Sequence, residues 1–148
     1  MTSTFTLITV TDVEAELLFD LSLDIDAHMT SMARSGERAI AGTTTGRIGP
    51  GETVTWHARH FGVWFTLTSK ITSWDKATRF VDEQVRGPFR VFHHEHRFER
   101  LPSGRTAMTD TITLASPVFG VIAERLVLVP YLRRLIAARN QHLLAAAA

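Results

Sequence analysis

Two histidines spaced by one residue, with a carboxylate beyond the next turn, form the most reactive pattern in this chain. His94 and His96 stand in the segment 89–99, and Asp110 stands in the segment 105–114. Side chains alternate across an extended strand, so His94 and His96 share a face with Phe92 and Phe98. The opposite face carries His93, Glu95, Arg97 and Glu99 and belongs in water. In the second segment Met108, Asp110, Ile112 and Leu114 form one row, and Ala107, Thr109, Thr111 and Thr113 the other. Asp110 is the polar member of an otherwise apolar row.

The turn at Pro102-Ser103-Gly104 permits a register check. If Arg100 pairs with Thr106, Phe98 faces Met108, His96 faces Asp110 and His94 faces Ile112. Matched partners of this kind stabilise a sheet by roughly 0.2–1 kcal/mol each. The Gly87-Pro88 turn leaves two registers open: a three-residue loop sets Asp82 opposite His94, and a two-residue loop sets Val81 there. His60 falls on the inward row of 52–60 with Val54, Trp56 and Ala58. The inner surface thus gathers His60, His94, His96 and Asp110, with Asp82 and Gln84 as further candidates. A buried carboxylate without a partner is costly, so these groups must pair with one another, with water or with a ligand.

Three chemistries suit such a cluster. The first is a hydrogen-bonded polar lining that orients one end of a ligand. The second is acid–base catalysis, with His96 oriented by Asp110 as the base and His94 or His60 stabilising an oxyanion. The third is a facial metal triad, for which two histidines on a strand are a weak signal. The expectation is the first, with no metal and no cofactor. Trp56, Phe65, Phe92 and Phe98 read as wall or core, Trp64 and Trp74 fall on the outer parity, and Arg133, Arg134 and Arg139 mark a wet helix side.

These groups need a scaffold, and the chain supplies signals for one. Residues 4–10 alternate as a strand. Thr11-Asp12 offers an N-cap to a helix over 13–20, and a second short helix covers 24–32. Strands are expected over 37–44, 52–60, 63–73, 78–86, 89–99 and 105–114, separated by short turns such as Gly49-Pro50-Gly51 and Phe61-Gly62. Linkers this short favour antiparallel pairing of successive strands. After Ser116-Pro117 an apolar stripe through Val118, Ile122, Leu126 and Val129 continues to Leu144 and predicts a long helix. Pro130 should kink or divide it. Ala145 to Ala148 read as a frayed end.

The bulk properties exclude several functions. The chain has 148 residues, net charge +1 and no cysteine, which removes disulfides, thiolate metal sites and a cysteine nucleophile. Its 14 arginines and 2 lysines are scattered among acids, so no nucleic-acid footprint is expected. No secretory leader and no spanning segment of roughly 20 apolar residues is evident. The expectation is one soluble, cytoplasmic domain over 1–148, without stable membrane insertion.

The order strand, two short helices, six strands, long C-terminal helix resembles the START/Bet v 1-like superfamily, also called SRPBCC or polyketide cyclase/dehydrase-like proteins. The local carriers are Trp56-His57-Ala58-Arg59-His60-Phe61-Gly62, Phe80 to Phe89 with its Gly87-Pro88-Phe89 turn, His94-Glu95-His96-Arg97-Phe98, Thr109-Asp110 and Ser116-Pro117. The resemblance implies an α+β helix-grip fold: a curved antiparallel seven-stranded sheet wrapped around the C-terminal helix, with two short helices between strands 1 and 2. It also implies a cavity for an apolar or amphipathic small molecule. Expected ligand contacts are Trp56, His60, Phe65, Asp82, Phe92, His94, His96, Phe98, Met108 and Asp110 from the sheet, and Ile122 and Leu126 from the helix. Binding, transport or sequestration is the leading function. The alternatives are a cyclase or dehydratase using His96, Asp110 and His94, and an interaction module or homodimer joined through the C-terminal helix.

Overall fold

Short turns leave each strand little choice but to return beside its predecessor, and the chain does so repeatedly. The structure, a computed structural model, describes residues 1–117 and 120–147. Its elements are β1 (Ser3–Thr11), α1 (Ala15–Ser22), α2 (Ile25–Ser31), a 3-10 turn (Ala33–Ser35), β2 (Arg38–Gly42), β3 (Thr53–His60), β4 (Val63–Asp75), β5 (Arg79–Arg86), β6 (Val91–Arg100) and β7 (Thr106–Ala115). A single turn of helix, α3 (Val121–Ala123), leads through a π-helical segment (Glu124–Leu128) into α4 (Val129–Ala147). The strands form one antiparallel sheet in the order β1-β7-β6-β5-β4-β3-β2, with β1 closing onto β7. This is the seven-stranded sheet with a long C-terminal helix that the sequence predicts. Val118 and Ala148 lie outside the described residues.

The register at the two informative turns is settled. Arg100 pairs with Thr106, Phe98 with Met108, His96 with Asp110 and His94 with Ile112. At the other turn Asp82 stands opposite His94, and Val81 faces Glu95 instead. Gln84 explains part of this choice. Its amide donates to the Phe89 carbonyl at 2.6 Å and its carbonyl accepts the Phe89 N–H at 3.1 Å, which brackets the Gly87-Pro88 turn. Gln84 therefore holds the loop and does not join the inner cluster. A Cβ on Gly87 would sit 2.5 Å from the Gln84 carbonyl oxygen, so the bracket needs glycine there.

Helix α1 seats its apolar face at one end of the sheet. The Phe19 ring meets Trp74, Phe80 and Phe98 edge-on, at centroid distances of 5.1, 5.7 and 5.6 Å. Edge-to-face aromatic pairs add roughly 0.5–1.5 kcal/mol beyond their buried area. Trp74 belongs to this block because the β4–β5 register slips between Ile71 and Ser73. One extra residue flips the facing of everything after it, which corrects the outer parity expected for Trp74. Trp64, upstream of the slip, is exposed. The acids before α1 do not cap it by side chain, whereas Asp24 caps α2 by accepting the Ala27 N–H at 2.8 Å.

The division expected at Pro130 takes a specific form. Proline lacks the N–H and crowds the preceding turn, and the wider π-helical segment over Glu124–Leu128 lies just before it. From there α4 buries Leu132, Ile136, Arg139, Asn140 and Leu143 against the sheet and the short helices.

Candidate functional site

Between α4 and the concave face of the sheet lies a cavity of about 350 Å³. Volumes of roughly 300–1,000 Å³ are typical of small-molecule sites. Alternate residues of each strand face it: Val54, Trp56, Ala58 and His60 of β3, then Phe65, Leu67, Ser69 and Ile71 of β4. Phe80 and Asp82 of β5 and Phe92, His94 and His96 of β6 continue the wall. Leu128, Tyr131, Leu132, Leu135, Ile136 and Arg139 close it from the C-terminal helix.

The polar groups form two clusters. The inner one is built on Asp110, which has no exposed surface. His94 Nε2 donates to Asp110 Oδ1 at 2.7 Å, Arg139 Nη2 to the same oxygen at 3.2 Å, and Asn140 Nδ2 to Oδ2 at 2.8 Å. His96 Nε2 donates to Asp82 Oδ2 at 2.6 Å. Its Nδ1 lies 3.4 Å from Asp110 Oδ1, an ion-pair distance without hydrogen-bond alignment. The His94 and His96 rings stack at 3.6 Å, and Phe80 covers His96 at 4.1 Å.

Burial and neighbouring charge set the protonation of this cluster. Burial favours a neutral Asp110, but Arg139 beside it and the two imidazoles hold it well below the usual carboxylate range. Burial also opposes ionised Asp82, and the hydrogen bond and charge of His96 overcome that, so its pKa falls. For His96, burial works against the imidazolium, yet Asp110 and Asp82 outweigh it and the pKa is raised. Burial and the adjacent His96 push His94 down to about 4, with Asp110 opposing only in part. The consistent state is two carboxylates balanced by Arg139 and an imidazolium at His96, with His94 neutral. That cluster carries no net charge, as a buried site requires.

Neutral His94 spends its Nε2–H on Asp110, which leaves Nδ1 as a lone-pair acceptor on the cavity wall. Arg139 spends Nε and Nη2 on Asn140 and Asp110, which leaves Nη1 as a donor there. His94 and Arg139 both line the cavity and meet at Asp110 Oδ1, so its wall carries an acceptor-bearing ring and a donor-bearing guanidinium. Asp82, His94 and His96 each have a ligating atom within 4.8 Å of the others. A metal ion there would compete with the His96–Asp82 and His94–Asp110 hydrogen bonds and with the nearby Arg139 cation.

The second cluster lies toward the start of β2. His28 Nε2 donates to Glu37 Oε1 at 2.8 Å, and Trp56 packs on the His28 ring at 4.4 Å. His60 Nδ1 and the Tyr131 hydroxyl share a hydrogen bond of 2.6 Å. Burial lowers the His60 pKa and, with Glu37, raises that of Tyr131. Phe61 covers the adjoining mouth, its ring 4.4 Å from Tyr131. It holds φ at 54°, a left-handed conformation that side chains resist, as the two-residue turn with Gly62 demands.

Several sequence expectations change. Trp56, His60, Phe65, Asp82, Phe92, His94 and His96 line the cavity, and Asp110 lies directly behind its wall, touching His94 and Arg139. Phe98 and Met108 do not line it; they are buried in the block around Phe19. Ile122 and Leu126 point away, 74% and 72% exposed. The inward seat beside them belongs to Glu124, whose carboxylate accepts from Ser3 Oγ at 2.9 Å and from the Ser116 N–H. Arg139, expected in water, is 2% exposed and neutralises Asp110. His60 bonds Tyr131 and stays apart from the inner cluster. His96, expected as the base, faces a carboxylate with each nitrogen, so its lone pair is not available for that role. The roles of Arg139, Asn140, Glu37 and His28 escape the sequence reading. Asn140 and Arg139 sit at the helical spacing of Ile136 and Leu143, a signal that a prior against buried arginine conceals.

No family model and no curated protein matches the sequence. Solved structures do. A protein from Thermus thermophilus aligns with a TM-score of 0.76 at 18% identity, covering 99% of this chain and 100% of that one. The Zhui aromatase/cyclase from a Streptomyces species aligns with a TM-score of 0.77 at 17% identity, covering 99% and 94%. The ginseng major latex-like protein 151 from Panax ginseng aligns with a TM-score of 0.71 at 13% identity, covering 100% and 99%.

Proposed function

From the premise that this chain has the helix-grip fold of the START/Bet v 1-like superfamily, we propose that it binds an apolar small molecule carrying a hydroxyl group. The observation that carries this reading is that His94 and Arg139, both bonded to Asp110 Oδ1, line a cavity whose walls are mostly aliphatic and aromatic. Apolar walls supply affinity in proportion to the area they cover, and the acceptor and donor on these two side chains fix orientation. His94, with its pKa near 4, is a weak base at neutral pH, which favours binding over proton abstraction.

The test compares naphthalene with 2-naphthol by titration of the intrinsic tryptophan fluorescence, Trp56 being in the wall. Both should saturate, with 2-naphthol roughly tenfold tighter for one charge-assisted hydrogen bond. Equal affinity of the two probes, or absence of saturable binding, would defeat the reading. Native mass spectrometry of freshly purified protein should also retain a co-purified small molecule.

The orientation of neutral His94 by Asp110, together with the likeness to an aromatase/cyclase, supports a second reading. In it the same pair performs cyclase- or dehydratase-type acid–base chemistry on a hydrophobic substrate. His94→Gln separates the two: loss of turnover with probe binding kept favours catalysis.

A further inference from the structure

The alternating strand directions bring three chain segments to one end of the sheet: the β3–β4 turn (59–64), the β5–β6 turn (85–91) and the stretch through α3 and the π-helical segment (120–128). The contacts tie them together. Phe61 lies on Tyr131, one turn beyond Leu128, and Phe89 and Phe92 pack in one cluster with Leu128. The cavity opens here, because its exposed lining residues include Phe61 and Pro117.

The composition of this rim is one-sided. Its exposed apolar side chains include Phe61, Val63, Trp64, Ile122, Leu126 and Val127, from 52% to 74% exposed. Val85 and Val91 are exposed beside them. Its charged residues are Arg59, Arg86, Arg90 and Arg125, all exposed, and Glu124, which is buried against Ser3 and Ser116. Among these described segments no carboxylate faces water, in a chain whose net charge is only +1. Exposed aromatic and branched residues interleaved with arginine match the interface of an anionic bilayer, where apolar groups enter the headgroup boundary and cations meet the surface potential.

We propose that the rim of the cavity docks on an anionic lipid surface, with Ile122, Leu126, Val127 and Phe61 entering the headgroup layer and the four arginines contacting lipid headgroups. No helix among the described residues is long and apolar enough to cross a membrane, so the contact is peripheral. It places the cavity mouth against the bilayer, where an apolar ligand is concentrated. Docking of this kind goes beyond ligand binding and depends on the surface alone.

Co-sedimentation with vesicles tests it. The wild-type chain should pellet with phosphatidylcholine vesicles containing phosphatidylglycerol, pellet far less with phosphatidylcholine alone, and be released by high salt. Arg90→Gln with Arg125→Gln should weaken binding by roughly fivefold per charge removed. Ile122→Ser with Leu126→Ser should reduce it at least as much and leave 2-naphthol binding intact, since neither side chain lines the cavity. Both double variants alter exposed side chains, and unchanged circular dichroism confirms their fold. Failure to pellet with anionic vesicles at low salt would overturn the proposal. So would full binding by both double variants, or a rim-dependent dimer by light scattering that removes the same residues from solvent.

Discussion

His94 and His96 stack ring on ring, 3.6 Å apart, yet their neighbours drive them to opposite protonation states. His96 sits between two carboxylates and keeps its proton, while His94 is stripped of charge by burial and by His96 itself. The pair acts as one unit: a cation at one ring enforces a neutral acceptor at the other.

Nitrogen NMR of the imidazoles tests this division directly. His94 should remain a neutral Nε2–H tautomer from alkaline pH down to the neighbourhood of its pKa of about 4. His96 should stay doubly protonated above the ordinary histidine midpoint of roughly 6.5. Parallel titration of both rings near the ordinary value would refute the assignment.

The same shifts give stability a peak near neutrality. His94 is harder to protonate folded than unfolded, so its stabilisation is lost as pH falls from roughly 6.5 toward about 4. His96 is easier to protonate folded, so its contribution holds below roughly 6.5 and declines as pH rises through its raised pKa. Thermal melts of His94→Gln should lose the first acid limb, leaving the fall at still lower pH that protonation of Asp82 and Asp110 imposes.

Removing Arg139 strands a buried anion. Arg139→Leu should destabilise the fold by about 3–5 kcal/mol in urea titrations, because Asp110 keeps its charge without its principal counterion. Adding Asp110→Asn should recover a large part of that loss. If the single variant is neutral, the charge balance described for the cluster is wrong.

Filling the cavity should separate binding from folding. Leu67 lines the wall and is half-buried, so Leu67→Trp projects a larger ring into the void. The expected result is loss of 2-naphthol binding with a melting temperature within a few degrees of wild type. Phe19→Ala is the converse case: about 3–5 kcal/mol of stability lost, since Phe19 carries three edge contacts, with every lining residue retained.

Period-two reading places the β6 and β7 side chains correctly because each strand is regular and the Pro102–Gly104 turn admits one sensible register. It misses Trp74 because a bulge between Ile71 and Ser73 has no signature in residue type. It stops at an alternative for Asp82, since the loop that decides it is bracketed by a side chain, Gln84, outside the turn. The helix is harder. The apolar stripe through Ile122 and Leu126 lies on the outer side, while the inward seat goes to Glu124, so hydrophobicity and facing run opposite ways there. Arg139 reads as solvated because arginine almost always is, and only the depth of Asp110 explains the exception.

Within the aromatic block around Phe19, Phe80 borders the hollow, while Phe19, Trp74 and Phe98 stand clear of it. The wider core around this block shares Val54, Trp56, Ile71 and Phe80 with the cavity wall, so those positions serve packing and lining at once. Phe65 and Leu67 line the cavity and belong to neither core cluster, so changes there can reshape the hollow while the block around Phe19 keeps the chain folded. The shape of the hollow can therefore change by small steps at these two positions without loss of the fold.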